Sequence, residues 1–167
     1  MKYFKFFSSL LISSILLSAC QKEYSNEEVQ PTKGNWEFRV LKDTYSGPLD
    51  TVYIIGNQMQ ILGKSDDKTH SFDMTLTSPT GVFLPGTTYS ASAQEAVMNY
   101  RLNSQGIFVA NALNGEFIVS INLINETFVS GTFSGTALDE TGKKQQIYQG
   151  KFSSIYGKEL LVIPTGN

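Results

Sequence analysis

This 167-residue chain has one thiol and one imidazole with which to do nucleophilic or metal chemistry, Cys20 and His70; any other ligand or nucleophile must be a carboxylate or a hydroxyl. Few enzyme sites can be built from so little. His70 closes the run Asp66-Asp67-Lys68-Thr69-His70 just ahead of a predicted strand, where two acids and a histidine could help to bind a cation. Zinc, however, takes three or four ligands, and without a second histidine or a spare thiol the rest would have to be carboxylates. His70 therefore reads as a solvated loop residue. Asp66-Asp67, and Asp139-Glu140 in Asp139-Glu140-Thr141-Gly142, lack the spaced oxygens of a calcium loop and read as exposed turn acids. Nucleophilic hydrolysis is commonly carried on a strained G-x-S-x-G turn beside a histidine and an acid. Gly131-Thr132-Phe133-Ser134-Gly135 has different spacing and falls inside a predicted strand. A glycosidase needs two carboxylates facing across a cleft, and nothing selects a pair from Glu37, Asp73, Glu95 and Glu116. Phosphate-cradling and dinucleotide fingerprints are missing from the sequence, so no cofactor is expected. The expectation is a non-enzymatic protein with no catalytic residue and no metal site.

Cys20 has a different chemistry, set by what precedes it. Lys2 and Lys5 form a basic start, and Phe6 to Leu17 is an apolar run well short of the ~20 residues a spanning helix needs. It reads as a signal peptide, ending in Leu17-Ser18-Ala19-Cys20. Ser18 and Ala19 are small enough for a peptidase cleft, and Cys20 is a nucleophile that can take a thioether-linked diacylglycerol. This segment resembles the lipobox of bacterial lipoproteins. The resemblance implies cleavage between Ala19 and Cys20, loss of residues 1–19, and an acylated Cys20 as membrane anchor; two or more acyl chains hold stably where one is marginal. A lipidated Cys20 leaves no thiol for disulfides or zinc. Loss of Lys2 and Lys5 takes the formal charge from −2 to about −4, which gives no basic footprint for nucleic acid.

Residues 20–34 follow as an acylated N-terminus and flexible tether, polar and interrupted by Pro31, with a coil reach of roughly 20 Å. Lys22 and Glu23, with Glu27 and Glu28 after them, resemble the export signal that sends lipoproteins of Bacteroidetes-type bacteria to the outer face of the outer membrane.

From Gly34 on, apolar runs are short, β-branched or aromatic, and bounded by turn residues. Trp36, Phe38 and Val40 alternate with Glu37 and Arg39; Phe72, Met74 and Leu76 with Asp73 and Thr75; Phe117, Val119, Ile121 and Leu123 with Ile118, Ser120 and Asn122. Period two gives one wet and one dry face. Gly56-Asn57 suits a type II′ hairpin and Asn114-Gly115 a type I′ hairpin. Strands are predicted near 35–42, 51–56, 58–64, 71–77, 86–90, 97–103, 107–113, 116–124, 127–138 and 145–155, with one possible helical turn in Ala91–Met98. The fold class is all-β: an antiparallel meander forming a single β-sandwich or half- or fully closed barrel over residues 35–163. Gly131, Gly135 and Gly150 interrupt good strands, making bulges or leaving room for facing rings, with packing room preferred to ligand approach. Phe72, Phe117, Phe133 and Phe152 sit on the apolar phase and read as core, not as a sugar-stacking surface.

Gly86-Thr87-Thr88-Tyr89, Val129 to Ala137 (VSGTFSGTA) and Ile147 to Phe152 (IYQGKF) resemble a pattern in small uncharacterised Bacteroidetes-type outer-membrane lipoproteins. The resemblance covers about residues 80–155 and implies an extracytoplasmic all-β domain without assigning chemistry. Two modification motifs are short: Asn125-Glu126-Thr127 fits an N-glycosylation acceptor, and Asp50-Thr51-Val52 resembles an O-glycosylation acceptor while also suiting a plain strand start. The resulting expectation is an outer-membrane lipoprotein held by its N-terminal lipid, a surface or periplasmic binding or structural module for a protein or glycan partner. The alternative is a lipocalin-like carrier holding a small apolar ligand among Phe72, Met74, Val119 and Ile121.

Overall fold

The computed structural model describes residues 34–103 and 105–155. Residues 1–19, the Ala19-Cys20 junction, Lys22 and Glu23, and residues 156–163 of the expected domain lie outside the described residues. Ten strands and no helix form the described chain: β1 (Asn35–Val40), β2 (Asp43–Ile55), β3 (Gln58–Lys64), β4 (His70–Thr77), β5 (Thr88–Ser90), β6 (Ala96–Leu102), β7 (Gln105–Ala110), β8 (Phe117–Ile124), β9 (Phe128–Asp139) and β10 (Lys144–Ile155). Every pairing is antiparallel. Eight strands close into a barrel in the order β1-β2-β3-β4-β6-β7-β9-β10 and back to β1. Closure settles the choice between sandwich and barrel.

The order is not a plain meander. β5 pairs with β8, and β8 with β9, outside the ring. Along β9, β7 holds Leu138 and Asp139 while β8 holds Val129 to Gly135. β10 runs along the other edge, so β7 and β8 share one edge end to end. Both are antiparallel to β9 and therefore point the same way, which no two-residue turn can connect. Asn114-Gly115 accordingly sits in a loop and not in a type I′ hairpin: Asn114 is buried, and its side-chain amide donates to the Val109 carbonyl. Gly56-Asn57 does join paired strands, with Ile55 opposite Gln58 and a positive φ of 59° at Gly56 alone, the II′ pattern. Ala91–Gln94 is a turn closed by Gln94 at φ 62°, and strand follows from Ala96.

Bulges keep the dry face in phase where the spacing of apolar residues changes. In β2, Leu49 and Val52 are three apart yet both buried, and the register against β3 shifts between Leu49 and Thr51. In β10, Ile147 and Gly150 are three apart, and the shift falls at Tyr148-Gln149 with Gln149 at φ 53°. Such bulges bend and twist a strand, and β2 uses its bend to pair with β1 over Asp43–Pro48 and with β3 over Leu49–Ile55. The first half of β2, Asp43–Asp50, is absent from the predicted strands; it contains Gly47 and Pro48, residue types that ordinarily interrupt strands.

Inside, aromatic rings fill the barrel. Trp36 stacks on Phe72 at 4.9 Å and 8°, Phe38 meets Tyr100 edge-on at 5.3 Å, and Phe133 lies 5.7 Å from Phe72. Phe72, Phe117, Phe133 and Phe152 are all buried, as their strand phase predicts. Across β9 and β10, Gly131 is opposite Phe152 and Gly150 opposite Phe133. A Cβ on Gly131 would lie 2.5 Å from Phe152 Cζ, and one on Gly150 would lie 2.4 Å from Phe133 Cδ2. Each glycine is the space its partner ring occupies.

Candidate functional site

Strand directions sort the turns into two groups. Leu41-Lys42, residues 65–69, Asn103 and residues 139–143 gather at one end of the barrel; residues 56–57, 78–87 and 125–127, with Gly34 and Ile155, gather towards the other. At the first end, β2, β4, β6 and β7 bring Tyr45, His70, Tyr100 and Phe108 together as a plate over the core. His70 stacks on Tyr100 at 5.2 Å and 23°, and Tyr45 meets Tyr100 and Phe108 edge-on at 5.2 and 5.4 Å. Phe38 closes the plate from below, stacked on Tyr45 at 5.2 Å.

His70 is thus not a solvated loop residue. It opens β4 opposite Leu102, its carbonyl accepts from the Ser65 amide at 3.0 Å, and it is half-buried with Nδ1 out of reach of water. The signal for this was local: His70 shares the parity of Phe72, Met74 and Leu76, and strand phase carries it inward. Tyr45 shares parity with Gly47 and Leu49 in the same way, hidden by Pro48.

The turns beneath this plate are organised by two carboxylates. Asp67 accepts from the Ser65 hydroxyl, the Thr69 amide at 3.0 Å and the Thr69 hydroxyl at 2.8 Å. Asp139 accepts from the Thr141 hydroxyl at 2.6 Å, the Gln145 side-chain amide at 2.8 Å, and the backbone amides of Lys143 and Thr141 at 2.9 and 3.0 Å. Donation from the Ser65 hydroxyl, then from Thr69, lowers Asp67 from 3.8 to about 2; the Thr141 hydroxyl, then Gln145, does the same for Asp139. Hydrogen bonds to the ionised form favour it.

These depressed values carry a sign. Each carboxylate contributes to stability above its unfolded value near 3.8, and the contribution is lost as pH falls towards about 2. The Asp67→Asn/Asp139→Asn variant is therefore expected to lose less stability than the wild type as pH is lowered from about 4 to about 2. Denaturant midpoints across that range measure it, and parallel acid limbs would refute the assignment.

The phenols of the plate move the other way. Burial raises Tyr100, reinforced by Tyr45 and Asp67; burial also raises Tyr45, with Asp43 adding to it. Both remain neutral hydrogen-bond donors at physiological pH. His70 stacks on the one phenol of Tyr100, which is 2% exposed, so what this end presents to solvent is the half-buried Tyr45 and His70 with the ionised Asp67 nearby. Four other acids are engaged separately: Glu37 with Lys151 at 3.3 Å, Asp73 with Arg101 at 3.7 Å, Asp50 with Lys64 at 4.0 Å, and Glu95 accepting from the Ser90 amide at 3.4 Å. Among the described residues, no three histidine, cysteine or acidic side chains are grouped so as to hold a metal.

The remaining sequence motifs take structural places. Thr132 and Ser134 of the Gly131–Gly135 run face outward on β9. Asn125 Oδ1 accepts from the Thr127 and Phe128 amides, both at 2.9 Å, and so holds the β8–β9 turn. Thr51 lies beside the β2 bulge, exposed. Phe72, Met74, Val119 and Ile121 have at most 1% of their surface open to water. Comparison with known proteins gives no relative: no family model, no curated protein and no solved structure matches the chain.

Proposed function

We propose that this chain is a lipid-anchored, non-enzymatic lipoprotein of a bacterial outer membrane whose barrel works by contact, as a binding or structural module for a protein or glycan partner. The observation that carries the reading is directional. Gly34, where the tether from Cys20 joins the barrel, lies towards the end remote from the Tyr45–His70–Tyr100 plate. An anchor at Cys20 with roughly 20 Å of flexible coil would let the barrel present that end, with its half-buried Tyr45 and His70, to a partner away from the bilayer. The closed eight-stranded barrel is also a shape a carrier can use. Its interior argues for the contact reading, because a ligand cavity must leave open surface on its walls and Phe72, Met74, Val119 and Ile121 have essentially none.

Cys20→Ser tests the anchor. Cells making the wild type should yield a processed protein in the detergent phase, and the variant should be unprocessed or move to the aqueous phase. A variant that stays in the detergent phase with unchanged mobility would show that Cys20 is not the lipid attachment point. Protease treatment of intact cells, with Lys22 and Glu23 replaced in parallel, reports which face of the membrane the barrel occupies.

A further inference from the structure

The two ends of the barrel differ in charge. The turns around the His70 plate carry Lys42, Asp66-Asp67-Lys68, Asp139-Glu140 and Lys143. At the end where Gly34 begins the barrel, a groove of about 510 Å3 joins Ile54 to the 81–85 loop and to Ile124. Of the loops that frame it, residues 56–57 and 78–87 hold no charged side chain, and the 125–127 turn has one, Glu126, which is itself engaged. Exposed apolar side chains gather there instead. Val82 and Leu84 are 54% and 56% exposed between β4 and β5, and Ile54 and Ile55 are 40% and 46% exposed at the tip of the β2–β3 hairpin. Period two would send one of two adjacent isoleucines inward, yet both meet water. Clustered apolar surface of this kind marks a contact site.

Charge and position both favour a lipid surface as the occupant. A bilayer interface accepts apolar side chains and penalises charged ones that cannot reach water, which is the segregation these two ends show. Position follows from the anchoring reading, on which this inference rests: the coil from a lipidated Cys20 enters the barrel at Gly34, on the apolar end. Gly81–Pro85 lies in neither strand nor helix, so its backbone polar groups belong at the wet headgroup level. Its side chains alone would reach the acyl boundary, at the depth of about 5–10 Å usual for interfacial segments.

We infer that Val82, Leu84, Ile54 and Ile55 seat the barrel on the bilayer that holds its anchor. The tether end rests in the lipid interface, and the charged end with the His70 plate points away from it. Residues 56–57, 78–87 and 125–127 include no lysine or arginine, so the contact owes nothing to anionic headgroups and does not weaken as salt screens charge.

Fluorescent labelling of the full-length lipoprotein, reconstituted into phosphatidylethanolamine and phosphatidylglycerol vesicles, tests the seating. Val82→Cys and Leu84→Cys each take a thiol-reactive fluorophore, an acylated Cys20 leaving no other thiol in the chain. Leu41→Cys, 66% exposed at the charged end, is the control. All three positions are exposed, so labelling leaves the core untouched. With a nitroxide on the upper acyl chain of the lipid, the labels at 82 and 84 should be quenched about threefold more than the label at 41, because interfacial side chains lie at nitroxide depth and β1 holds Leu41 about 20 Å beyond Gly34. The difference should persist at high salt. Equal quenching at the three positions overturns the inference, and so does a difference that salt abolishes. Self-quenching of the Val82 label that grows with protein density, without nitroxide quenching, would seat a second copy in the groove and overturns it too. Flotation of the same vesicles reads the anchor separately. Protein that floats with equal quenching refutes the seating alone, whereas protein that does not float refutes the anchoring reading and the seating with it.

Discussion

Gly150→Ala is expected to destabilise the barrel by about 1–3 kcal/mol, the usual cost of forcing a methyl group into a packed core. The new Cβ would stand 2.4 Å from both Phe133 Cδ2 and the Phe133 carbonyl oxygen. The ring can turn, but the carbonyl belongs to the β9–β10 ladder and can yield only by breaking register. Gly131→Ala meets the same obstacle from the other strand, at 2.5 Å from Phe152 Cζ and from the Ser120 carbonyl oxygen. Denaturant unfolding followed by the fluorescence of Trp36, the one tryptophan in the chain, gives the midpoint. Combining Gly150→Ala with Phe133→Leu separates the two clashes: recovery beyond the sum of the single effects isolates the ring, and what remains belongs to the backbone. Wild-type stability for Gly150→Ala would mean that Gly150 is not the space Phe133 needs.

Trp36→Ala carries the larger effect, about 3–5 kcal/mol, a large fraction of the total for a domain of this size. Trp36 is 1% exposed, stacked on Phe72 and Phe38, edge-on to Tyr100 at 5.5 Å, and its Nε1 donates to the Pro48 carbonyl at 3.2 Å. Gly63 is the space beside the indole, since a Cβ there would come within 2.5 Å of Nε1. The alanine variant therefore loses a ring from the middle of the aromatic stack and opens a cavity that β-sheet walls, held by their ladders, relax into only in part. Trp36→Phe keeps a ring in the stack and gives up the hydrogen bond, so it should cost about 1–2 kcal/mol beyond the lost volume. Because both variants lack the tryptophan, calorimetry or circular dichroism measures them. A Trp36→Ala loss below that of Trp36→Phe would contradict the packing described.

Much of this was legible because strand phase is a local property. The parities of Trp36-Phe38-Val40, Phe72-Met74-Leu76 and Phe117-Val119-Ile121 each placed their residues inside, and Gly56-Asn57 named its own hairpin. Gly131 and Gly150 read as room for facing rings, and they are; Gly135 instead lies against the Glu116 and Phe117 backbone with φ 138°. Extending the same rule two residues further would have brought in His70, and looking past Gly47 and Pro48 would have brought in Tyr45. Nothing local could have revealed Asn114-Gly115: the pair has hairpin chemistry, and only the sharing of the β9 edge by β7 and β8 forbids the hairpin.

The sequence by itself therefore determined the all-β class, most of the strands and which of their faces are dry, and, in Leu17-Ser18-Ala19-Cys20, the expectation of an anchor. These follow from backbone geometry at period two and from the chemistry of a few adjacent side chains. Only the tertiary structure decided that the sheet closes into a barrel, that β5 and β8 stand outside its ring, and that His70 meets Tyr100, itself edge-on to Tyr45. Each of those depends on which strand lies beside which. That choice is made by shear and bulges summed around the whole sheet, and no single segment of the chain contains it.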